Sequence, residues 1–458
     1  MTNKTDLLVI GAGPGGYACA FRAADLGRDV TLVDSGDRLG GVCLNEGCIP
    51  SKALLHAAEI IREAREMADW GIDFGTPKID LDKLRAKKDG IIGTLTDGLG
   101  GLAKRRKVTT IQGRANFTSP TSVKVNGDEL QFDQCVIAVG SRPIVLPGWP
   151  EDDRIWDSKA ALELREIPAS LAIVGGGIIG LEMATVYSAL GAKVTVVELA
   201  DQIAPGADRD AVAILHKAIE AEGVTLHTST QVTEVKASKA NLILQCSGAF
   251  EDTIKAKAII TSIGRRANGD QLDLDVAGVE VNDRGVISAD RTGRTAQSAI
   301  FAIGDVTGNP MLAHRATHQG HIVAEVASGH HAALDTDLIP SVAYTCPELA
   351  WVGMTEVKAK QEGRSVKVTS FPWAASGRNL ASGGGDGLTK LVYDPASMRV
   401  LGATIVGRNA GELLAEVTLA VEMGATLEDI GLSIHAHPTL SETIAFAAER
   451  ALGTLTDL

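Results

Sequence analysis

Two glycine fingerprints, each opening straight from an apolar run, restrict this chain to very few folds. The first is Gly11-Ala12-Gly13-Pro14-Gly15-Gly16, after the run Leu7 to Ile10. The second is Gly175-Gly176-Gly177-Ile178-Ile179-Gly180, after Leu171 to Val174, about 160 residues further on. Continuous apolar runs of this length read as strands buried on both faces. Each fingerprint leads into a helical stretch, Tyr17 to Leu26 in one case and up to Leu190 in the other. A second strand follows each helix, Asp29 to Val33 and Lys193 to Val197, and an acid closes it, Asp34 or Glu198. In such a βαβ unit the glycines let backbone approach a pyrophosphate, the helix N-terminus faces it, and the acid takes a ribose hydroxyl. One such pattern arises easily by chance. Two with correctly placed acids indicate two dinucleotides in one chain. Glu198 is followed by Leu199, Ala200 and Asp201 with no Arg, which favours the free ribose hydroxyl of NAD over the phosphate of NADP.

Between the fingerprints lies the stretch Gly40-Gly41-Val42-Cys43-Leu44-Asn45-Glu46-Gly47-Cys48-Ile49-Pro50-Ser51-Lys52. It runs into an apolar-periodic helix carrying Leu54, Leu55, Ala58, Ile61 and Ala64. On a regular helix Cys43 and Cys48 point to different sides, so bonding them requires a distorted turn, which Gly41, Gly47 and Pro50 permit. A strained or accessible disulfide is the labile kind that exchanges with substrate. A helix N-terminus with Lys52 nearby favours the thiolate once the bond opens. Zinc is the alternative, but Cys-x4-Cys has no second ligand pair nearby. The pair reads as a redox-active disulfide.

The whole composition agrees. At 458 residues the chain is too long for one core, and about three domains are expected. Its six cysteines are irregularly spaced, unlike a secreted disulfide framework, which fits a reducing compartment. Neither signal nor transit peptide precedes the first strand, so a cytoplasmic location is expected. The most apolar window, Ala172 to Gly191, holds Glu182 and five glycines, so it does not read as a membrane span. A net charge of −13 argues against nucleic acid and suits a basic protein partner.

The thirteen residues around the cysteines resemble the active-site segment of the flavin disulfide reductases, within them the branch that reoxidises dihydrolipoyl groups for 2-oxoacid dehydrogenase complexes. The similarity covers nearly the whole chain. It implies an α/β fold of two Rossmann-like domains with an α+β C-terminal dimerisation domain. The expected divisions are an FAD-binding domain at 1–145, an NAD-binding domain at 146–264, a central segment at 265–333 and an interface domain at 334–458.

For FAD the resemblance implies contacts from Gly11, Gly13, Gly15, Gly16, Asp34, Gly41, Lys52, Ala115, Gly140, Asp305, Met311 and Ala313. Asp305 would hold the ribitol hydroxyls, and Asp34 stands where the family usually has Glu. For NAD it implies Gly175, Gly177, Gly180, Glu182, Glu198, Val232 and Gly264. Glu182 would pair with Lys52 beside the flavin. Ala267 stands where the family has proline, which is expected to loosen the loop Ser262 to Asn268.

The segment His435-Ala436-His437-Pro438-Thr439-Leu440-Ser441-Glu442 admits two readings. Thr439-x-x-Glu442 is a capping box for the final helix. Glu442 also serves as the group that orients His437 and raises its basicity, the two roles using different carboxylate oxygens. By resemblance His437 is the catalytic base and His435 supports it. His437 lies some 390 residues from the cysteines, and in the family a homodimer closes that gap, one subunit's histidine completing the other's site.

Further expectations are local. Leu54 to about Lys107 reads as helical, with Lys104 to Lys107 a solvated turn, and short strands run from Val108 to Val139. Beyond Asp335 antiparallel strands (Ser341 to Tyr344, Ser365 to Phe371, Lys390 to Tyr393, Val400 to Val406) accompany two helices. His314, His318 and His321 share a helix face but lack the carboxylate or thiolate partners a metal needs. Glutathione reductase would want basic residues after Glu198, and mercuric reductase a C-terminal cysteine pair. A flavin-loaded scaffold subunit remains the non-enzymatic alternative.

Overall fold

The computed structural model describes residues 3–456 and divides into two compact units. The first comprises Met1–Ala53, Asp82–Ile144 and Gly264–Asp335; the second comprises Leu54–Leu81, Val145–Ile263 and Thr336–Leu458.

The first unit is built on a seven-stranded sheet. Its parallel part runs Thr109–Gln112, Val30–Asp34, Asn3–Ile10, Asp128–Ile137, with Ile300–Ala302 beside the C-terminal half of the last. The antiparallel strands Ser122–Val125 and Ala115–Ser119 continue from the N-terminal half of Asp128–Ile137. The first apolar run explains the layering. Leu8 and Ile10 enter one core with the meander residues Phe117 and Phe132, while Leu7 and Val9 enter the other with Ala20, Val323 and Ala324. Each fully buried side chain of this kind contributes about 1.5–3 kcal/mol, so both faces hold the strand in register. Helix Pro14–Asp25 packs closely on helix Ala313–Ala327, because a Cβ on Gly320 would stand 2.5 Å from the Gly15 carbonyl oxygen.

The second unit holds a parallel sheet ordered Thr225–His227, Lys193–Val197, Ser170–Val174, Ala258–Thr261, Ile155–Trp156. Helix Ile178–Ala189 connects two of these strands, and the antiparallel meander Thr230–Ala237, Leu242–Gly248, Thr253–Ala256 covers the sheet. The C-terminal part is a five-stranded antiparallel sheet ordered Ser341–Ala343, Glu348–Gly353, Val400–Gly407, Leu388–Tyr393, Lys367–Pro372. Helices Ala410–Glu422 and Glu442–Leu452 pack on it around the fully buried Trp373.

Several local expectations are corrected. The helical pattern of 54–107 resolves into two helices, Cys48–Glu66 and Leu81–Arg105, with a 3-10 turn at Met67–Trp70. Gly71, at φ +81, ends that turn in the left-handed region. Lys104 and Arg105 belong to the last turn of the second helix, where cations meet the negative end of the dipole. Strand Glu348–Gly353 escaped notice because Leu349, Ala350 and Val352 are all buried and no alternation marks it. The C-terminal part also has three short helices beyond the two expected, Glu356–Glu362, Gly377–Ala381 and Leu427–Gly431. Ala267 does not sit in a loosened loop. It is fully buried in strand Arg265–Ala267, which pairs with Ser141–Pro143.

Candidate functional site

The glycines of the two fingerprints play matching parts. Gly11 takes φ +102, and a Cβ there would lie 2.3 Å from the Ala138 carbonyl oxygen; Gly175 takes φ +110, with the Ser262 carbonyl oxygen at 2.4 Å. Only glycine can turn the chain so tightly against the neighbouring strand. The last glycine of each motif seats the helix on the turn: a Cβ on Gly16 would be 1.7 Å from the Gly11 oxygen, and one on Gly180 2.0 Å from the Gly175 oxygen. The middle glycines differ in kind. A Cβ built on Gly13 or on Gly177 meets nothing within 4 Å. Those positions face open space above a helix N-terminus, a backbone cradle suited to a pyrophosphate.

The acids are locked onto the same cradles. Asp34 Oδ2 accepts from the Ala12 amide and Oδ1 from the Gly36 amide at 2.7 Å. Glu198 Oε2 accepts from the Gly176 amide and Oε1 from the Ala200 amide at 2.7 Å. Both carboxylates are thereby fixed at the C-terminal edge of their sheets, the place where open α/β sheets bind ligands.

The redox turn is anchored to the first cradle. The Gly40 amide donates to the Ala12 carbonyl at 2.8 Å, and a Cβ on Gly41 would be 2.6 Å from Gly13 Cα. A short helix, Gly41–Glu46, stops at Gly47, whose backbone (φ −142, ψ −106) leaves the helical region, and Cys48 then begins helix Cys48–Glu66. This is the distortion that five-residue spacing demands. It brings the half-buried Cys43 beside the exposed Cys48, close enough to share a hydrogen bond. That bond and burial push the Cys43 thiol well above its usual range, while the Lys52 charge pulls the other way. Lys52 Nζ also donates to Ser51 Oγ at 3.3 Å.

The remaining residues of the first unit lie at or beside the ends of its elements. Asp305 Oδ2 accepts from Ser141 Oγ at 2.5 Å, and Arg265 donates to that hydroxyl at 2.7 Å and to the Ser141 carbonyl at 2.6 Å. The Gly304 amide is held by Gln319 Oε1 at 2.9 Å. Ala313 opens helix Ala313–Ala327, two residues after Met311. Ala115 opens its strand in the meander, and Gly140 (φ +68) ends the run out of the sheet. Gly264 takes φ +118 in this unit.

In the second unit, Glu182 is buried on helix Ile178–Ala189 and its Oε1 accepts from the Tyr344 amide at 3.2 Å. Val232 lies in strand Thr230–Ala237, packed against the core beneath the meander.

His437 stands 80% exposed, with Nδ1 2.9 Å from Glu442 Oε1. A carboxylate only accepts, so Nδ1 carries the proton and Nε2 is the nitrogen left to take one. Glu442 Oε2 accepts from the Thr439 amide at 2.7 Å, so one carboxylate does hold both the turn and the histidine. The capping box itself is not formed: the helix starts at Glu442 with Ser441 as N-cap, and the Thr439 hydroxyl turns to the Ala436 carbonyl and Ser441. The His437–Pro438 peptide bond is cis. His435 presents Nε2 to Glu416 Oε1 at 2.7 Å and Nδ1 to the Ser433 carbonyl at 2.9 Å. Both partners only accept, so both nitrogens donate and the ring is charged. Burial pulls its pKa down, but Glu416 and the carbonyl outweigh that and leave it raised.

The family described as pyridine nucleotide-disulphide oxidoreductase matches residues 5–320, and its dimerisation domain matches residues 339–448. The chain belongs to that family. A dihydrolipoyl dehydrogenase of Vibrio cholerae is 52% identical, covering 99% of this chain and 97% of its own. One from Thermus scotoductus is 45% identical over 97% of this chain and 96% of its own. Among solved structures, the HOCl-induced flavoprotein disulfide reductase RclA from Escherichia coli superposes with a TM-score of 0.87 at 26% identity, covering 97% of this chain and 99% of that one.

Sequence reasoning missed the supporting residues of this oxidoreductase. Asn45 donates from Nδ2 to the Leu39 and Gly41 carbonyls at 3.2 and 3.0 Å, pinning the redox turn from inside. Its four-residue offset from Gly41 was a readable signal. Ser141, Arg265, Gln319 and Glu416 gave none, because their partners are distant in the chain or silent in type. Among the described residues, no helix is long and apolar enough to cross a membrane.

Proposed function

We propose that the chain acts as a dihydrolipoyl dehydrogenase, reoxidising protein-bound dihydrolipoyl groups with NAD+ through the pair Cys43/Cys48. The observation that carries this reading is the juxtaposed cysteine pair built onto the first dinucleotide cradle, in a chain 52% identical to a dihydrolipoyl dehydrogenase over nearly its full length.

His437 Nε2 takes the proton of one dihydrolipoyl thiol, and the resulting thiolate attacks Cys43 Sγ. The Cys43–Cys48 bond breaks, Cys48 leaves as a thiolate, and the second substrate thiol displaces Cys43 to close the lipoyl disulfide. Two electrons and two protons leave the substrate, and the cysteine pair is reduced. Glu442 keeps His437 in the tautomer that accepts. FAD, when bound, supplies a two-electron carrier between the cysteine pair and NAD+. Gly11, Gly13, Gly15, Gly16, Asp34, Gly41, Lys52, Ala115, Gly140, Asp305, Met311 and Ala313 would hold it, and the open cradle at Gly13 fits its pyrophosphate. Gly175, Gly177, Gly180, Glu182, Glu198, Val232 and Gly264 would receive NAD.

The assignments 1–145 to FAD, 146–264 to NAD, 265–333 to completing the FAD region and 334–458 to the interface follow from this reading. So do the Lys52–Glu182 pair and a composite site in which the partner copy supplies the base. Apolar side chains exposed beside the histidines support that dimer. Leu419 and Met423 share a helical face with Glu416, the partner of His435, and Leu432 and Ile434 stand bare on the loop before His437. The lipoyl-bearing acyltransferase of a 2-oxoacid dehydrogenase complex is the physiological partner, and the cytoplasm the location.

Steady-state turnover of the purified holoenzyme tests the reading. Dihydrolipoamide with NAD+ should give rapid NADH formation, and NADP+ should be poorer by about 10² or more in kcat/KM, since its phosphate would face Glu198. Equal use of NADP+, or preference for glutathione disulfide with NADPH, would overturn it.

A further inference from the structure

A cap residue that abandons its own helix ends the segment lying behind the second cradle. Asp208 is the N-cap of helix Arg209–Ala221, yet its side chain accepts nothing from that helix. An N-cap aspartate ordinarily satisfies the amides of its own first turn. Here the carboxylate is spent on the C-terminal sheet instead. Oδ2 lies 3.2 Å from Lys390 Nζ and 3.4 Å from the Thr404 hydroxyl, and Oδ1 accepts from the Val357 amide at 3.3 Å. Lys390 is 1% exposed, and its ammonium also meets Asp210 at 3.0 Å and Glu356. Three carboxylates from two helix N-termini thus surround one buried ammonium.

Burial of the Lys390–Asp208 pair is weak evidence of stability, because desolvation cancels most of the attraction; fixing register is the better-attested use. What it registers is the segment between Glu198 and Asp208. That segment folds back on the second cradle: the Ala204 amide donates to the Gly176 carbonyl at 2.9 Å, and Ile203, Ala204 and Ala207 are all buried. Gly176 has no room to shift, since a Cβ there would stand 3.0 Å from Glu198 Cβ and 3.2 Å from Ile203 Cγ2. Gly206 packs against the Trp351 ring, 3.3 Å from where its Cβ would be. One end of the segment is therefore tied to Glu198 and the other to Lys390.

We infer that Lys390 is a positioning residue for the pyridine-nucleotide site, setting through Asp208 the placement of the segment that backs Gly176 and Glu198. The inference rests on the reading of Glu198 as the ribose acid. Lys390, Glu356 and Thr404 all lie within the part matched by the dimerisation domain, so nucleotide affinity answers to that domain.

The test compares the flavin-loaded holoenzyme with Asp208→Asn, Lys390→Met and Glu198→Ala. Asp208→Asn is the mild change, leaving Lys390 its other two carboxylates, and it covers the event that Lys390→Met does not fold. KM for NAD+ and the Kd of NADH should rise by roughly three- to ten-fold in Asp208→Asn, with KM for dihydrolipoamide unchanged. A merely structural loss would instead lower kcat for every substrate and leave the ratio of the two KM values alone. Unchanged nucleotide binding in Asp208→Asn, or equal shifts in both KM values, overturns the inference. Glu198→Ala separates the two readings: if it leaves NAD+ binding intact, the NAD site itself has been misplaced; if it weakens binding and Asp208→Asn does not, only the positioning role fails.

Discussion

Cys43, Cys48 and His437 differ in what holds each of them. The cysteines depend on Gly47 and Asn45, a few residues away, and on the first cradle, which Gly40 and Gly41 meet from well down the chain. Replacing Cys48 with Ser should abolish lipoyl turnover in anaerobic assays while bound flavin remains; retained turnover would refute the pair as the redox centre. His437→Gln should cost about 10² or more in kcat, and an unchanged rate would return that motif to a structural role. His435 offers a pH test. Its folded pKa is raised above the ordinary value of about 6.5, by Glu416 and the Ser433 carbonyl with a smaller push from Glu442. The stability it contributes is therefore fully present below that ordinary value and is lost as pH rises through the folded one. Unfolding of wild type and His435→Gln should differ more at pH 5.5 than at pH 9, and a pH-independent difference would contradict the charged ring. Residues with local partners were legible from sequence. Asp305 was placed by resemblance, but its Ser141 partner lies 164 residues away, and no spacing encodes that.

At the scale of elements, the strand–glycine–helix units were readable because their period and punctuation are local. The strand Ser170–Val174 and helix Ile178–Ala189 fall where the apolar run and the fingerprint put them. The failures were elements whose identity comes from packing. Glu348–Gly353 carries no alternation because both faces are covered, and Thr439-x-x-Glu442 completes only half a capping box, since Glu442 accepts from the Thr439 amide while the Thr439 hydroxyl turns to the Ala436 carbonyl. The two cradles give a test that separates binding from folding. Gly177→Ala meets nothing in the protein, so the thermal midpoint should hold while the KM for NAD+ rises by an order of magnitude or so. Gly180→Ala drives a methyl into the Gly175 carbonyl and should lower both stability and binding. If the two variants behaved alike, the open cradle would not be where the dinucleotide lies.

For the whole molecule, the central question is whether electrons pass from a dithiol through this chain to NAD+. The dimerisation domain and the bare Leu432 and Ile434 call for a second copy. Mixing Cys48→Ser with His437→Gln subunits should restore turnover in the heterodimers, which hold one intact composite site; no recovery would mean that each subunit completes its own. The most direct measurement is an anaerobic titration of the yellow holoenzyme with dihydrolipoamide, followed by NAD+, while the flavin spectrum is recorded. A long-wavelength band from the Cys48 thiolate against the flavin should grow with dihydrolipoamide and vanish on adding NAD+, with NADH formed in equal amount. A spectrum that dihydrolipoamide leaves unchanged, in protein that NADPH and another disulfide cycle readily, would contradict the account.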